Sequence, residues 1–469
     1  MTIQNVSRPA LPQSSGNRPS PRARFRRRSA ISDLLVVIAW VSGPVAASLY
    51  LASGGLADVK DVGSFLTALG IVTGLIGTDF ILLMLVLAAR VPLIDRAVGH
   101  DRAIGLHRQL GKPALYLILG HAALLLAGYG ASSGINPIAE IGPMLTLPDM
   151  ITAVVGTALL IAVVVTSLVA VRRKFPYEFW HVIHLLSYAA VIFALPHQLS
   201  IGGTLAEGTV QRVYWIGLYV LAIGAIVIFR FAVPLFKSWA HDIRVQQVEW
   251  IAPDVASIHL TGRDLRALGA AGGEFLIWRF WTARTWWHSH PISLSSVPTD
   301  RRARITVRVL GPGTRRLAAV KPGTRVSFAG PYGIFTDAAR TSPKLAIVAA
   351  GIGITPARAL LEGSQLARGE ATVLVRSSTD DETFLWSEMR KLAEARGAEL
   401  FAMVGPRARN SWMSQHDAAR GVTLRSVFPD LDRSDLYVCG PQRWAEAVVA
   451  DARAAGLPEH QIHLESFEL

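Results

Sequence analysis

The sequence predicts a six-helix transmembrane bundle followed by an antiparallel β-barrel domain and an α/β Rossmann-like domain. Three features lead to this fold class. Apolar stretches long enough to cross a bilayer occupy the first half of the chain, and short strands separated by Gly, Pro and Asp turns follow them. The last part alternates strand, glycine turn, helix and strand, which is typical of a parallel sheet.

The membrane half is indicated by hydrophobicity and length. Of 469 residues, 51% are hydrophobic, so the chain is more apolar than an ordinary soluble protein. A helix needs roughly 20 apolar residues to span a bilayer, and six stretches are that long. They are residues 32–53, 63–92, 109–130, 148–171, 177–198 and 211–236. We expect an integral membrane protein with six spans and a soluble second half.

Positive charges set the expected orientation. The net charge of +13 could suggest a nucleic-acid partner, but seven arginines and no acidic residue lie in the first thirty residues, ending beside the first span at Arg26, Arg27 and Arg28. By the positive-inside rule, both termini then face the cytoplasm and the chain lies in the cell membrane. Residues 1–31 are expected to form a disordered basic tail. A signal peptide in place of the first span is the alternative.

Four histidines lie at two matched depths of two predicted spans. His107 and His121 are fourteen residues apart, roughly 21 Å along a helix, and His184 and His197 are thirteen apart. Ionisable side chains are costly in lipid, and neutral imidazole is a good axial ligand for haem iron. Because Cys439 is the only cysteine, neither a cysteine-ligated iron–sulfur cluster nor c-type haem attachment is expected. We therefore expect His107 with His184, and His121 with His197, to hold two stacked b-type haems.

Alternatives remain open for these histidines. They could be core residues that hydrogen-bond neighbouring helices. His181, three residues before His184 on nearly the same face, could replace it as ligand or bind a haem propionate. Ideal winding also separates His184 from His197 by about 140°, which a distortion at Pro196 would have to correct.

The segment after the last span predicts a small antiparallel barrel. Its expected strands are residues 243–250, 255–261, 274–281, 304–310 and 324–329. A hydroxyl-rich strand end, residues 290–296, suits the hydrogen-bonding edge of a flavin ring. Glycine turns at residues 311–314 and 330–333 suit a pyrophosphate, although each alone could be an ordinary turn.

The last part of the chain predicts a nucleotide site. The turn at residues 351–356 follows an apolar strand and opens a helix, and its glycines let backbone amides approach a phosphate. Arg376 and Ser377 end the next strand, where a ribose 2′-phosphate would lie, and this favours NADPH over NADH. A solvated arginine is the alternative. Cys439 ends a third strand and would lie beside the nicotinamide, unless it is an inert core thiol.

These residues together resemble the NADPH oxidase and ferric reductase transmembrane superfamily, whose dehydrogenase half is similar to ferredoxin-NADP reductase. The elements that carry the resemblance are the two histidine spacings, the segment beginning at His290, the turn at residues 351–356 and the strand end at residues 439–441. The resemblance runs from about residue 33 to the C terminus and implies three domains. They are a six-span haem domain at residues 32–237, an FAD-binding barrel at 238–337 and an NAD(P)H-binding domain at 338–469.

The resemblance also implies roles for individual residues. Ser293 would contact the reactive edge of the flavin, and Cys439 and Phe467 would flank the site of hydride transfer. The residues implied for FAD are His290, Pro291, Ile292, Ser293, Ser295, Ser296, Thr314, Gly330 and Gly333. Those implied for the nicotinamide nucleotide are Gly351, Gly353, Thr355, Pro356, Arg376, Ser377, Cys439, Gly440 and Pro441. Two departures are Ile292, where the family usually has an aromatic ring, and Ala350, where it more often has glycine.

The expected function is that of a transmembrane flavocytochrome b, an NAD(P)H-dependent oxidoreductase. It would move electrons from cytosolic NADPH through FAD and two bis-histidine haems to an acceptor outside the cytoplasm, either oxygen, giving superoxide, or a ferric chelate. NADH is the alternative donor. Two other functions remain open: an electron-delivery subunit for an extracytoplasmic protein, and a non-catalytic membrane bundle with a degenerate reductase.

Overall fold

The membrane half is helical, as the apolar stretches predict. The computed structural model describes residues 21–172, 174–175, 177–201 and 203–467. The helices up to residue 241 are α1 (Pro21–Ala52), α2 (Val62–Ala88), α3 (Pro92–Ala97), α4 (His100–Ser133), α5 (Ile141–Leu145), α6 (Met150–Ser167), α7 (Val169–Arg172), α8 (Tyr177–Ser200), α9 (Val210–Ala225) and α10 (Val233–His241). Within the described residues, six helical segments are long and apolar enough to cross a membrane: α1, α2, α4, α6, α8 and the run from α9 through α10.

The first helix begins earlier than predicted. Residues 21–31 were expected to be part of a disordered tail, but they form the first turns of α1. A contact with the far end of the chain accounts for part of this order, because the Phe25 ring lies 5.1 Å from the His460 ring. Residues 1–20 of the predicted tail lie outside the described residues.

Helices α2 and α4 pack closely because small residues line their contact. A Cβ atom added to Gly63, Gly74 or Gly128 would overlap atoms of the opposite helix. Gly70 and Gly74 form the small-xxx-small spacing that lets membrane helices approach closely. This packing brings the backbone of α2 against the side chains of α4.

The last span leads directly into the soluble half. A π-helical segment, Ile226–Ala232, joins α9 to α10. Ser238, in α10, accepts a hydrogen bond from the Phe328 amide at 3.0 Å, and its hydroxyl lies 3.2 Å from the Phe328 carbonyl oxygen. The end of the membrane segment is thus attached to a strand of the next domain.

The barrel is made of two three-stranded antiparallel sheets. Its strands are β1 (Arg244–Ala252), β2 (Val255–Thr261), β3 (Phe275–Phe280), β4 (His290–Ser293), β5 (Arg302–Arg308) and β6 (Val326–Tyr332), with the short helix α11 (Pro312–Ala318) before the last. The sheet orders are β1-β2-β5 and β4-β3-β6. Isolated bridges, Arg244 with Arg325 and Leu294 with Ile305, connect the sheets at the two seams. The predicted barrel therefore encloses one core, but the hydrogen-bond ladder is not continuous at the seams.

The last domain is a parallel sheet covered by helices, as predicted. Its strands are β7 (Lys344–Ala350), β8 (Ala371–Ser377), β9 (Glu399–Val404), β10 (Ser434–Pro441) and β11 (Ile462–Phe467), and its helices are α12 (Ile354–Gly363), α13 (Trp386–Arg396), α14 (Gln415–Ala419), α15 (Leu424–Val427) and α16 (Gln442–Ala454). The strand order is β11-β10-β7-β8-β9, and every pairing is parallel. The chain runs from β7 to β8 on one side, with β10 on the other. The switch point between β7 and β10 is where such sheets bind ligands.

Candidate functional site

The structure brings His107 of α4 and His184 of α8 together. Their ring centroids are 6.0 Å apart, and the ring planes are inclined by 62°. His107 donates from Nδ1 to the Met84 carbonyl oxygen, 3.0 Å away, so its Nε2 carries the free lone pair. Two imidazoles at this spacing leave room for one metal ion between them, which fits axial ligation of a haem.

Two further side chains fix the orientation of His184. Its Nδ1 lies 3.3 Å from the Ser167 hydroxyl, which also accepts a hydrogen bond from Trp180 Nε1 at 3.2 Å. The Trp180 ring stacks on His184 with 5.0 Å between ring centroids. These contacts engage Nδ1 and leave Nε2 as the ligand atom, which is the usual arrangement around a metal-bound histidine.

The second pair is closer to the other end of the same helices. His121 donates from Nδ1 to the Gly70 carbonyl oxygen, 2.8 Å away. His197 of α8 is near enough to His121 for the two rings to interact electrostatically, although no ring contact between them is found among the described residues. Helix α8 continues through Pro196. Both histidines of α8 therefore approach α4, despite the angle expected from ideal winding.

His181 is the other histidine of α8 that could be the ligand. Its ring centroid is 6.4 Å from that of Trp180, and it lies within electrostatic reach of Arg230 and of Arg279, in the barrel strand β3. His184, in contrast, lies beside His107, with 6.0 Å between the ring centroids. The geometry favours His184 as the ligand. In the described part of the chain, no cluster of three or more His, Cys, Asp or Glu could hold a metal ion in another way.

The predicted flavin segment contains buried polar atoms that lack a partner. Ser293 is 1% exposed, and neither its Oγ nor His290 Nε2 has a hydrogen-bond partner among the described residues. Burial, with a smaller contribution from His288, lowers the pKa of His290 to about 4, so its ring is neutral. Such atoms require a partner that the protein does not supply. The donors fit a flavin whose polar edge lies along β4.

The two glycine turns of the barrel lie beside this segment or end its neighbouring strand. A Cβ at Gly313 would lie 3.6 Å from the His290 ring, so the turn at residues 311–314 is adjacent to β4. Gly330 and Gly333 have φ values of +122° and +97°, a region that favours glycine. Thr314 caps the start of α11, since its hydroxyl accepts from the Gly311 amide at 3.3 Å and also from the Leu310 amide at 3.0 Å.

The nucleotide turn meets the end of β10 at the switch point. Gly351 has a φ of +55°, and a Cβ at Gly353 would overlap the Cys439 carbonyl group. Only glycine at position 353 therefore lets the turn lie against Cys439. Thr355 is 2% exposed and its hydroxyl donates to the Ile352 carbonyl oxygen at 3.0 Å, which stabilises the turn. Phe467 pairs with Pro441 through its backbone, while its side chain lies outside the described residues.

Comparisons with known proteins match both halves. Residues 73–195, which contain His107, His121 and His184 and end two residues before His197, match the family model "Ferric reductase like transmembrane component". The chain is also 27% identical over 194 residues to ferredoxin--NADP reductase B of Sorangium cellulosum, covering 38% of this chain and 77% of that one. The chain has a ferric reductase/NADPH oxidase-like arrangement. Residues 73–195 are ferric reductase-like, and the second half is similar to ferredoxin-NADP reductase.

Other relatives and solved structures also match about half of the chain, at similar sequence identity. The chain is 26% identical over 238 residues to the ferredoxin reductase component of 3-ketosteroid-9-alpha-monooxygenase from Mycolicibacterium smegmatis, covering 48% of this chain and 65% of that protein. The flavohem-like FAD/NAD binding domain of nitric oxide dioxygenase from Vibrio cholerae is a solved structure with a TM-score of 0.39 and 22% identity, covering 49% of this chain and 99% of that one. The sequence relatives support an NAD(P)H-dependent oxidoreductase with FAD.

Two predicted contacts of the reductase-like domain differ in the structure. Ser295 was expected to face FAD, but its hydroxyl accepts from Arg304 Nε at 3.0 Å and Thr306 Oγ1 at 2.9 Å, which fixes it inside the barrel. Arg376 was expected to face a 2′-phosphate, but it is 4% exposed. Its guanidinium donates to the carbonyl oxygens of Ser377, of Met403 at 3.3 Å and of Gly405 at 2.7 Å. The guanidinium group of Arg376 therefore points toward the strand ends and is already hydrogen-bonded there.

Other predicted contacts stay open to a ligand. Ser377 Oγ is buried without a partner among the described residues, so it is the better candidate for a nucleotide contact at the end of β8. Ile292 packs partly against the barrel core, and its carbonyl accepts from Trp278 Nε1 at 3.0 Å. Ala350, at the end of β7, is 7% exposed and would lie 3.1 Å from a Cβ at Gly440.

The sequence reasoning missed two groups of residues. Gly74 allows the His121 ring to lie against α2, and the spacing of Gly70 and Gly74 was the signal for it. A second group joins the barrel to the parallel-sheet domain. Glu388 of α13 accepts from Arg304 at 2.8 Å and lies 2.8 Å from Arg358 Nε. No local sequence pattern identifies this group, because its members come from three distant elements.

Proposed function

We propose that the chain is a transmembrane flavocytochrome b that carries electrons from a reduced nicotinamide nucleotide to a one-electron acceptor on the other side of the membrane. When bound, FAD would accept hydride from the nucleotide, and two b-type haems would carry single electrons across the bilayer. The acceptor is oxygen, giving superoxide, or a ferric chelate. The observation that best supports this proposal is the spacing of His107 and His184, whose ring centroids are 6.0 Å apart.

Residues of the membrane half would bind the haems. His107 with His184, and His121 with His197, would bind the haems, with Met84 and Gly70 orienting the α4 ligands through their carbonyl oxygens. Apolar surroundings would exclude water from the irons, because all four histidines lie inside helices long enough to cross the membrane. Because two histidines would hold each haem, the acceptor would react at the haem edge.

In the soluble half, residues would position the two organic cofactors. Ser293 would orient the flavin edge, and the turn at residues 351–356 would hold the nucleotide phosphates against the amides that begin α12. Cys439 would lie next to the nicotinamide through its contact with Gly353. Because Arg376 is turned inward, we propose NADPH or NADH as donor without a preference.

The orientation follows from charge. The arginines before α1 favour the cytoplasm, so the soluble half would lie there and the acceptor site outside, in the cell membrane. The proposed domain boundaries are residues 237/238 and 337/338.

Reconstitution tests this function. Full-length protein purified in detergent and loaded with hemin and FAD should show a low-spin Soret band that shifts when NADPH or NADH is added without oxygen. NADPH-driven reduction of cytochrome c, with and without superoxide dismutase, compared with reduction of ferric citrate, then identifies the acceptor. Absence of a Soret band after reconstitution would contradict the proposal.

A further inference from the structure

A buried histidine–carboxylate pair lies where the membrane helices meet the barrel. His100, the first residue of α4, donates from Nδ1 to Asp95 Oδ1 of α3, 3.1 Å away. The side chains are 12% and 7% exposed. A carboxylate only accepts, so the proton of the neutral imidazole is on Nδ1, and Nε2 is free to accept another. No hydrogen bond to Nε2 is found within the described residues.

His100 also contacts the strands that carry the proposed flavin segment. Its ring stacks on Tyr332 at 5.3 Å and meets Phe275 edge-on at 6.3 Å. Phe275 is paired with Ser293 on one side and with Tyr332 on the other. Residues paired across antiparallel strands point to the same face of the sheet, roughly 5 Å apart. His100 therefore covers the face to which Ser293 belongs.

A cavity adjoins His100. Its volume is about 400 Å³, which is enough for several water molecules, and His100 lies in its wall together with Gly333. The charged groups around it are Arg28 and Asp33 of α1, Arg102 of α4 and Glu465 of β11. Arg90 lies over the Tyr332 ring at 5.2 Å. A proton on His100 would have a water-accessible route out of the junction.

The proposed electron transfer requires such a route. Hydride transfer from a nicotinamide nucleotide delivers two electrons and one proton, whereas a haem accepts an electron alone. When both electrons have entered the membrane half, one proton per nucleotide oxidised must therefore leave on the side of the soluble half. The net change there is NAD(P)H giving NAD(P)⁺, two electrons and one proton.

We propose that His100 accepts this proton at Nε2 and releases it to the cavity, and that Asp95 positions the ring and stabilises its charged form. This inference rests on the proposed function. In this role Asp95 acts through His100, as carboxylates that orient a histidine base do. A neighbouring carboxyl, Glu274, is the rival acceptor, because burial raises its pKa to about 7 and it directly precedes Phe275.

The test uses full-length protein loaded with FAD and hemin, mixed with NADPH without oxygen. Flavin bleaching, haem reduction and proton release to a pH dye are followed separately. The variants are His100→Gln, His100→Ala, Asp95→Asn and Glu274→Gln. His460→Gln is the control, an exposed histidine at the contact with α1.

In His100→Gln, flavin bleaching should keep its rate, while haem reduction and proton release slow at least about tenfold at neutral pH, a modest effect for loss of an acid–base group. Wild-type haem reduction should depend on pH, and this dependence should weaken in the variant, because the group that accepts the proton has been removed. Added imidazole should restore His100→Ala, since the cavity is open to it. Asp95→Asn should slow haem reduction and proton release less than His100→Gln does.

Wild-type rates and pH profile in both His100 variants would overturn the inference, as would loss of rate in Glu274→Gln alone. A purely structural role would lower FAD content and leave imidazole without effect. Failure of the wild-type protein to reduce haem would instead overturn the proposed function, so the two failures are distinguishable.

Discussion

The rings of His107 and His184 face each other 6.0 Å apart, although they lie on different helices and 77 residues separate them in the sequence. Each ring is oriented through Nδ1, by the Met84 carbonyl in one case and the Ser167 hydroxyl in the other. Supported rings of this kind lose little side-chain freedom when they bind a metal. The two rings are therefore oriented as the proposed haem ligation requires.

The choice between His184 and His181 can be tested by haem content. His184→Ala should remove the haem next to His107, so the haem-to-protein ratio should fall by about half, because a bis-histidine site loses an axial ligand. His181→Ala is the matched control on the same helix and should keep the ratio. Pyridine haemochrome assay of both variants gives the ratio directly. If His181→Ala lost haem and His184→Ala kept it, His181 would be the ligand instead.

The proposed second haem site depends on a glycine. A Cβ at Gly74 would overlap the His121 imidazole, whose Nδ1 donates to the Gly70 carbonyl. Gly74→Ala should therefore displace His121 and reduce haem content by about half, although alanine favours a helix by roughly 0.5–1 kcal/mol. Gly217→Ala, where nothing lies within 4 Å of the added atom, is the control. Equal haem content in the two variants would contradict the packing argument.

The histidine depths and the strand–turn–helix pattern could be predicted because they depend on spacing along one element. The six spans, the barrel and the parallel sheet follow from the same periodicities. The orientation of Arg376 could not be predicted in this way. Its partner Met403 lies in β9 and its partner Gly405 directly follows that strand, both distant in sequence, and the carbonyls at a strand end become available only when the sheet forms. The hydrogen bonds of Ser295 could not be predicted for the same reason, since Arg304 and Thr306 donate to it from another strand.

The interface between barrel and parallel sheet should weaken in acid. Burial alone would raise the pKa of Glu388, but hydrogen bonds and charge from Arg304 and Arg358 lower it overall from the ordinary 4.5. A lowered folded-state pKa contributes stability that is present above the ordinary value and is lost as the pH falls through the folded value. We expect about 1 kcal/mol, because Glu388 is 36% exposed and water screens the pair.

Glu388→Gln should therefore lower the stability of the full-length protein at neutral pH, and its difference from wild type should shrink as the pH falls through the lowered pKa of Glu388. The measurement is thermal release of FAD, followed by its fluorescence, across this pH range. Glu394→Gln, an exposed position on the same helix, is the control. A constant difference between Glu388→Gln and wild type at every pH would contradict the electrostatic explanation.

The nucleotide preference should not depend on Arg376 as a phosphate ligand. Arg376→Ala leaves buried carbonyls without donors, which costs roughly 1–3 kcal/mol for an unsatisfied group. Since this loss acts on the strand ends and not on the 2′-phosphate, KM for NADPH and KM for NADH should change by the same factor. Arg390→Ala, exposed on α13, is the control. A selective rise in KM for NADPH would restore the role first expected from the sequence.

The only thiol of the chain should be inert in the folded protein. Cys439 is 0% exposed, and burial, with a smaller effect of Glu465, raises its pKa well above the ordinary value. The thiolate is the reactive form, so a raised pKa and burial both slow alkylation at neutral pH. Iodoacetamide should label the native protein much more slowly than protein unfolded in dodecyl sulfate, and mass spectrometry of the intact chain is unambiguous because it contains one cysteine. Rapid labelling of the folded protein would mean that β10 opens at this point, and Gly353, which lies against the Cys439 carbonyl, could then not hold the nucleotide turn in place.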